Sequence, residues 1–367
     1  MYKRQVDKSI KKFRIQKIYS FLGLKKIEVE EADAGDIVAI AGLDDIYVGE
    51  TICKEGLEEA LPLIKVSEPT VQMNFGTNTS PFAGKEGQFV TGRKIEERLF
   101  RETQRDVSLR INRVDNKEEW IVSGRGELHL SILIENLRRE GFEFQVSRPR
   151  VILKEIDGVI NEPYEYVQVD VPDEYIGSAI EMFGNRRGNL EGMNSKDGQT
   201  RLIYTIPSKG LIGFMTDFLT ATHGYGIINH TFLEYRPVQP DVFMGRKLGV
   251  LVSINQGMAT TYACGGVEDR GELLIEPGIM VYEGMIVGIC NREEDLAVNI
   301  TREKQMTNQR SATKDSTTVL KKPRVFSLEN YLSFIDEDEL VEVTPNSIRL
   351  RKMILDTVER KKYDSTK

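Results

Sequence analysis

Apolar positions between residues 69 and 146 change in a regular order from alternating to helical spacing. Alternating stretches are typical of strands, and spacing at i, i+3, i+4 and i+7 is typical of a helix with one buried face. The second helical stretch shows this spacing at Leu130, Leu133, Ile134 and Leu137. The predicted elements are strand 69–75, helix 91–103, strands 107–114 and 118–124, helix 126–140 and strand 142–146. This βαββαβ order is typical of a ferredoxin-like domain.

The same order then returns along the chain. The predicted elements of the second copy are strand 166–171, helix 172–184, strands 188–193 and 200–207, helix 210–224 and strand 226–235. The first helices of the two copies start 81 residues apart and the second helices 84 residues apart. A nearly constant offset indicates two successive domains of one plan.

The regions before and after these two copies show different patterns. Residues 10–66 show short strands between Gly and Asp turns, which predicts a partial β-barrel and a chain that begins inside a domain. Beyond residue 247, glycines separate four predicted strands, a helix starts after Ser327, and a basic helix follows Pro345. The predicted strands are 247–254, 258–266, 271–278 and 280–290, and the helices are 327–336 and 347–362.

Together these patterns predict an α+β multidomain protein. It would combine a partial β-barrel, two ferredoxin-like βαββαβ domains and a β-rich C-terminal domain with a basic loop. The predicted boundaries are 1–66, 67–150, 151–240 and 241–367.

The composition of the chain limits the kinds of site and partner that we expect. The 367 residues carry a net charge of −7 and contain no apolar run of membrane-spanning length, so we expect no membrane partner. Three scattered cysteines favour a reducing cytoplasm over a disulfide framework or a zinc site, and three histidines leave little material for a metal cluster. Net acidity does not exclude a nucleic-acid partner, because the distribution of charge decides that question.

One basic segment, residues 301–324, stands out in this acidic chain. It holds seven basic residues against two acidic ones, a net charge of +5, and very few large apolar side chains. Its cations alternate with Ser, Thr, Asn and Gln, which suits contact with phosphate oxygens, although a solvated linker has a similar composition. A second candidate is the glycine-bracketed loop 184–189, for which a solvated turn is an equal alternative. The candidate RNA-binding residues are Arg302, Lys304, Arg310, Lys314, Lys321, Lys322, Arg324, Arg186, Arg187 and Lys209.

Catalytic motifs are absent or weak. The 83–87 stretch AGKEG lacks the Ser or Thr of a phosphate loop, and GRGELH at 124–129 places His129 where a dinucleotide fingerprint needs glycine. SATK at 311–314 has no accompanying acyl-enzyme motifs, and His223 before Gly224 reads as a capping or surface residue. We therefore assign no catalytic, cofactor-binding or metal-binding residue, and whether the chain acts as part of an enzyme stays open.

Longer stretches resemble translational GTPases of the elongation factor G type. SGRGELHLSILIENLRREGFEF resembles their domain III. EYIGSAIEMFGNRRGNLEGM and PSKGLIGFMTDFLTATHGYGIINHTFLEY resemble their domain V, and AGDIVAIAGLDDIYVGETIC resembles the end of their domain II. Three further stretches resemble the BipA/TypA family, namely PFAGKEGQFVTGRKI, GMATTYACGGVEDRGELLIEPG and REKQMTNQRSATKDSTTVLKKPR. The first residues, MYKRQ, do not look like the family's barrel.

The resemblance implies a ribosome-binding part of such a factor, acting at the A-site region of the 70S ribosome in stress response and large-subunit assembly. It implies that GTP and Mg²⁺ belong to a G domain absent from this sequence. It also implies that residues 305–322 reach the acceptor end of A-site tRNA, and that domain V, with Arg186 and Arg187, faces ribosomal RNA. We expect a cytoplasmic monomer.

Three other interpretations stay open at this point. One is a LepA-like factor, against which the stretch ATTYACGGVEDRG argues. Another is a stand-alone RNA-binding assembly factor without GTPase activity. The third is an enzyme whose ferredoxin-like domains bind a small metabolite.

Overall fold

The computed structural model describes residues 2–3, 10–43, 46, 48–54, 56, 59, 61–62, 68–239, 246–304 and 319–366. The chain forms two units, one of residues 1–67 with 98–109 and one of residues 68–97 with 110–367. Strands and short turns dominate the first unit, and mixed α/β modules make up the second. This arrangement is the expected α+β multidomain class.

The first unit contains short antiparallel strands, as the sequence predicts. One three-stranded sheet has the order β2-β1-β6 and the other has the order β4-β3-β5. The Lys17 ammonium lies 2.8 Å from the Glu28 carboxylate across β3 and β4, an exposed pair that adds little stability. The strands are β1 (Tyr2–Lys3), β2 (Ile10–Lys11), β3 (Lys17–Leu22), β4 (Lys25–Val29), β5 (Ala39–Ala41) and β6 (Thr51–Ile52).

The first βαββαβ module, in which residues 98–109 are grouped with the first unit, follows the predicted element order. Its sheet runs β10-β7-β9-β8, and β11 also pairs with β7. The predicted apolar face of α2 is buried at Leu130, Leu133, Ile134 and Leu137. The elements are β7 (Val71–Gly76), α1 (Gly92–Arg105), β8 (Arg110–Arg113), β9 (Glu119–Gly124), α2 (Glu127–Arg139), β10 (Phe144–Ser147) and β11 (Arg150–Val151).

The second module repeats this order with a longer first strand. Its core gathers valines of β13 with three aromatic rings. Phe183 stacks on Tyr204 and packs at a tilt against Phe214. The main strands run β16-β13-β15-β14, and β12 also pairs with β13. The elements are β12 (Lys154–Ile156), β13 (Val159–Pro172), α3 (Ile176–Asn185), β14 (Asn189–Lys196), β15 (Gln199–Pro207), α4 (Phe214–Ala221) and β16 (Ile227–Pro237).

Both helices of this module are shorter than predicted. The predicted helix 172–184 begins as a 3₁₀ turn, Asp173–Tyr175, before α3. The predicted helix 210–224 is interrupted, because Gly213 has a left-handed φ of 68° between the 3₁₀ turn Ser208–Leu211 and α4. A left-handed residue ends the hydrogen-bond series of one helix, so the next must start afresh.

The third module completes the unit. It contains most of a second hydrophobic core, which includes Leu251, Val281, Tyr282 and Val287. Its elements are β17 (Val250–Ser253), β18 (Gly257–Met258), α5 (Thr261–Val267), β19 (Gly271–Leu273), β20 (Met280–Val281), β21 (Met285–Cys290), β22 (Leu296–Val298), α6 (Leu328–Phe334), β23 (Glu339–Val343), β24 (Ile348–Lys352) and α7 (Thr357–Asp364).

Two sequence predictions in this module were wrong. The predicted strand 258–266 is largely α5, which forms because the Thr260 hydroxyl caps it by accepting from the Ala263 amide at 3.1 Å. The predicted helix 347–362 is β24 followed by α7. Residues of β24 pair with β23, and Asp356 caps the new helix with its carboxylate. By contrast, Ser327 caps α6 as predicted.

The first and third modules share one sheet. Phe144 to Ser147 of β10 pair antiparallel with Val343 to Leu340 of β23. The result is an 11-stranded sheet that runs from β22 to β8 and crosses from the predicted 67–150 region to the predicted 241–367 region. The four predicted boundaries therefore stay a prediction, while these two regions are hydrogen-bonded to each other in the structure.

A loop reinforces this junction. Phe82, from the segment between β7 and α1, is 5% exposed and enters the core of the third module. Its ring meets that of Tyr282 edge-on at 5.0 Å. Aromatic pairs in this geometry add to the gain from burial, so the loop fastens one module onto the other.

Replacing Phe82 with Ala should lower the melting temperature of the chain. Truncating a buried Phe costs about 3–5 kcal/mol, through lost burial and the cavity that remains. Thermal unfolding would measure the change. The matched control is Val325→Ala, because Val325 is 79% exposed and its truncation should leave the transition in place. Equal melting temperatures for Phe82→Ala and the unchanged chain would contradict the assigned packing.

Candidate nucleic-acid interface

Both described ends of the basic segment 301–324 are tied to the region around α5. The outgoing end is held where the Thr260 hydroxyl donates to the Arg302 carbonyl at 2.6 Å. The returning end is held where the Lys321 amide donates to Glu268 at 2.7 Å and the Arg324 amide donates to the Leu273 carbonyl at 2.9 Å. The two described ends of the segment, residues 301–304 and 319–324, are therefore fixed at neighbouring points of one module.

The apolar residue of the returning end adds to this attachment. Leu320 packs against the core that contains Leu273 and Cys264. The central residues 305–318 lie outside the described residues, and with them the candidates Arg310 and Lys314 and the SATK motif. The structure thus places the two ends of the basic segment, residues 301–304 and 319–324, which we call its root.

Five candidate cations lie at this root, and all five are exposed, namely Arg302, Lys304, Lys321, Lys322 and Arg324. The Arg324 guanidinium lies 3.5 Å from the Glu272 carboxylate, with both side chains about half exposed, and 5.2 Å from the centre of the Phe326 ring. An exposed ion pair is worth little in water, so it costs little to exchange for a phosphate. The root therefore presents several cations to solvent at one place.

The other three candidates serve the fold to different degrees. Lys209 forms an ion pair with Glu162 at 2.8 Å, and the side chains are only 18% and 2% exposed. Arg186 donates to the carbonyls of Gly210 and Ile212 at 3.2 and 2.9 Å, and so holds the turn before α4. Their roles as RNA contacts stay predictions, but both side chains already have strong partners inside the module.

Arg187 differs from its neighbour. Its backbone is left-handed, with φ of 61°, and its guanidinium donates to the Gln239 side-chain oxygen at 3.2 Å. The residue is exposed at the surface. Of the three candidates in this module, Arg187 is the one whose exposure best suits an external anion.

The two glycine motifs that sequence reasoning set aside have structural roles. At AGKEG, the amides of Gly84 and Gly87 donate to the Glu143 carboxylate at 2.7 and 2.8 Å, so the turn wraps a buried carboxylate of its own chain. At GRGELH, only Arg125 and Gly126 separate the end of β9 from the start of α2, which confirms the predicted strand-to-helix turn. His223 is exposed at the end of α4, as predicted.

Sequence reasoning missed a buried charge network in the third module. The Glu339 carboxylate is fully buried and lies 2.6 Å from Arg246 and 2.8 Å from Lys352. Burial alone would raise the pKa of Glu339, but hydrogen bonding and attraction from these two cations hold it below its usual value. Charges buried in this way must be paired, so the network fixes β24 beside β23.

In the described ranges, no three His, Cys, Asp or Glu side chains come together in a way that could hold a metal ion. Within the same ranges, no helix is both long and apolar enough to span a membrane.

Replacing Lys209 with Met should destabilise the second module. The change leaves the buried Glu162 carboxylate without its cation, which costs about 3–5 kcal/mol. Chemical denaturation would measure the loss, with Lys196→Met as the control, because Lys196 is exposed on β14. A loss of RNA binding by Lys209→Met without loss of stability would show that the ion pair is dispensable and that Lys209 acts outward.

Comparisons with known protein families cover most of the chain. Residues 4–53 match elongation factor Tu domain 2, residues 90–148 match elongation factor G domain III, and residues 159–245 match the elongation factor G C-terminus. Residues 248–357 match the TypA/BipA C-terminal domain, which includes the ends of the basic loop.

Curated relatives align along nearly the whole chain. The protein named large ribosomal subunit assembly factor BipA from Bacillus subtilis (strain 168) is 57% identical over 98% of this chain and 59% of its own length. Proteins of the same name from Synechocystis and from Escherichia coli (strain K12) are 51% and 49% identical, each over 95% of this chain and 58% of their own length. The chain thus spans less than two thirds of these relatives. The order of matched domains, which ends in the TypA/BipA C-terminal domain, and the alignment with these relatives along nearly the whole chain place the chain in the TypA/BipA family.

Proposed function

We propose that this chain binds the ribosome, and specifically its large subunit, as part of a factor of the TypA/BipA type. The relatives in which its sequence recurs are named large ribosomal subunit assembly factors. The structural observation that carries the proposal is the pair of described ends of the basic segment, which are fixed beside α5 and β19 and carry five exposed cations. Ribosomal RNA is the polyanion that such a loop would contact.

The frame behind the loop suits recognition of shape. We infer that both βαββαβ modules are ferredoxin-like, which is supported by their common order of strands, fourth-first-third-second. We further infer that the first unit is part of a β-barrel. On this proposal the modules present fixed surfaces to folded RNA, and the loop 305–322 reaches the acceptor end of A-site tRNA in the 70S ribosome.

No residue of this chain is proposed to bind or hydrolyse GTP. The sequence has no GxxxxGK[ST] phosphate loop. We propose that GTP and Mg²⁺ bind to a G domain of the whole factor, and that this chain supplies ribosome contacts during large-subunit assembly and growth under stress. It would do so as a cytoplasmic monomer.

Co-sedimentation with large subunits and with 70S ribosomes, at several salt concentrations, tests the proposal. Binding should weaken steeply with salt, and log K against log salt should lose a slope of about 0.7–0.9 for each phosphate contact removed. The variant Lys321→Gln with Lys322→Gln should bind more weakly and with a smaller slope. The matched control is Lys25→Gln with Lys26→Gln, which removes the same charge from exposed positions of β4.

Three results separate the possibilities. Equal loss in the two double variants would mean that net charge alone matters, and the loop would not be the contact. Unchanged binding by the loop variant would also remove the loop from the interface. Absence of ribosome binding at every salt concentration would contradict the proposed function.

A further inference from the structure

The carboxylate of Glu127 lies where elements of all three modules of the second unit meet. Glu127 is the first residue of α2, and its Oε2 atom accepts a hydrogen bond from the Gly213 amide at 2.6 Å. The other oxygen, Oε1, is buried and has no hydrogen-bond partner among the described residues. A carboxylate with one buried, unsatisfied oxygen is costly to keep ionised.

Gly213 connects this carboxylate to the third module. Its left-handed backbone starts α4, and a side-chain carbon at this position would lie 2.6 Å from Cβ of Ser333 on α6. A contact that short leaves no room for any other residue. Gly213 is therefore held between Glu127 of α2 on one side and Ser333 of α6 on the other.

Charged groups face Glu127 from two of these directions. Arg186 acts from the loop after α3, where its guanidinium bonds the carbonyls of Gly210 and Ile212 and lies 3.4 Å from Asp217. Glu329 acts from α6 and repels a negative charge on Glu127. The free energy of ionising Glu127 thus depends on the positions of α4 and α6.

A second titratable pair lies beside the start of α2. A side-chain carbon on Gly126 would lie 3.9 Å from Cε1 of His230, which is hydrogen-bonded to Glu165 of β13. That contact raises the pKa of His230 above its usual value. Any pH dependence measured at the joint must therefore be assigned to Glu127 or to this histidine.

We propose that Glu127 is a proton-sensitive latch that holds α2, α4 and α6 together when protonated and loosens their joint when ionised. Protonation removes both the cost of the buried charge and the repulsion from Glu329. Ionisation favours any rearrangement that admits water to Oε1 or draws Arg186 closer. The latch thus couples the relative positions of three modules to the occupancy of a single proton.

The direction of the pH dependence of the joint follows from the direction in which the pKa of Glu127 is shifted. The pKa of Glu127 is raised from 4.5 to about 7. Burial is the main cause and repulsion from Glu329 adds to it, while the Gly213 amide and Arg186 act in the opposite direction. An acid with a higher pKa in the closed joint than in an open one stabilises the closed joint at low pH. That stabilisation is lost as pH rises from about 4.5 through 7.

Amide hydrogen exchange of residues 208–217 between pH 5.5 and 8.5, corrected for the intrinsic rate, tests the latch. Protection in the unchanged chain should fall by at least about tenfold over this range, since each pKa unit of coupling corresponds to tenfold. Glu127→Gln keeps an oxygen for the Gly213 amide but cannot ionise. Its protection should stay constant with pH.

Two further variants make the assignment specific. Glu329→Gln removes the repulsion and should move the midpoint of the transition to lower pH. His230→Gln removes the neighbouring titration and should leave the midpoint in place. Constant protection in the unchanged chain, an unshifted midpoint in Glu329→Gln, or a transition that disappears with His230 would each overturn the proposal.

Discussion

The pairing of β10 with β23 is the constraint on which the rest of the second unit depends. It joins strands nearly 200 residues apart in sequence and puts Gln145 opposite Glu342. The Glu342 carboxylate is fully buried and accepts from Tyr282 at 2.6 Å and from Ser80 at 2.9 Å. Arg349 of β24 lies 3.1 Å away as its cation. Because a shift of one residue would leave these groups unpaired, the buried polar contacts fix the register.

This constraint bears directly on the basic loop. The sheet that contains β10 and β23 also contains β21, with which β19 pairs. The returning end of the loop is bonded beside β19, and the outgoing end is bonded at the start of α5. Elements packed into a common sheet and core move little relative to one another. The proposed RNA contact would therefore originate from a fixed frame.

The sequence predicted most of this architecture where local pattern and tertiary environment agree. The α2 stripe and the repeated βαββαβ order are such cases. The strand predicted over residues 258–266 was wrong because a short helix rich in Thr, Ala and Gly has no clear apolar periodicity. Its cap becomes evident only from the hydrogen bond between the Thr260 side chain and the Ala263 amide. The helix predicted over residues 348–352 was wrong because the sequence does not show that Arg351 and Lys352 are buried. Both side chains are nearly fully buried, but in the sequence they have the pattern of solvent-exposed cations on a helix.

In the candidate site, too, some residues could be found from the sequence and others only from the fold. The charge of the segment 301–324 is evident from composition, so its root cations were found. Composition could not separate Arg187, which is exposed, from Lys209, whose partner Glu162 comes from 47 positions earlier in the chain. Composition also could not identify Glu127, which belongs to the stretch GRGELH that was interpreted as a strand-to-helix turn. Its chemistry depends on Gly213 and Glu329, which only the fold brings near.

Unfolding with two probes tests the shared sheet most directly. The single tryptophan, Trp120, is buried in β9 of the first module, while Cys264 and Cys290 are buried in the core of the third. In a Cys53→Ser variant, Trp120 fluorescence and the labelling of the remaining thiols would be followed through a denaturant titration. If β10 and β23 join the modules, both transitions should share one midpoint. Two separate midpoints would show that the modules unfold independently and would contradict the account.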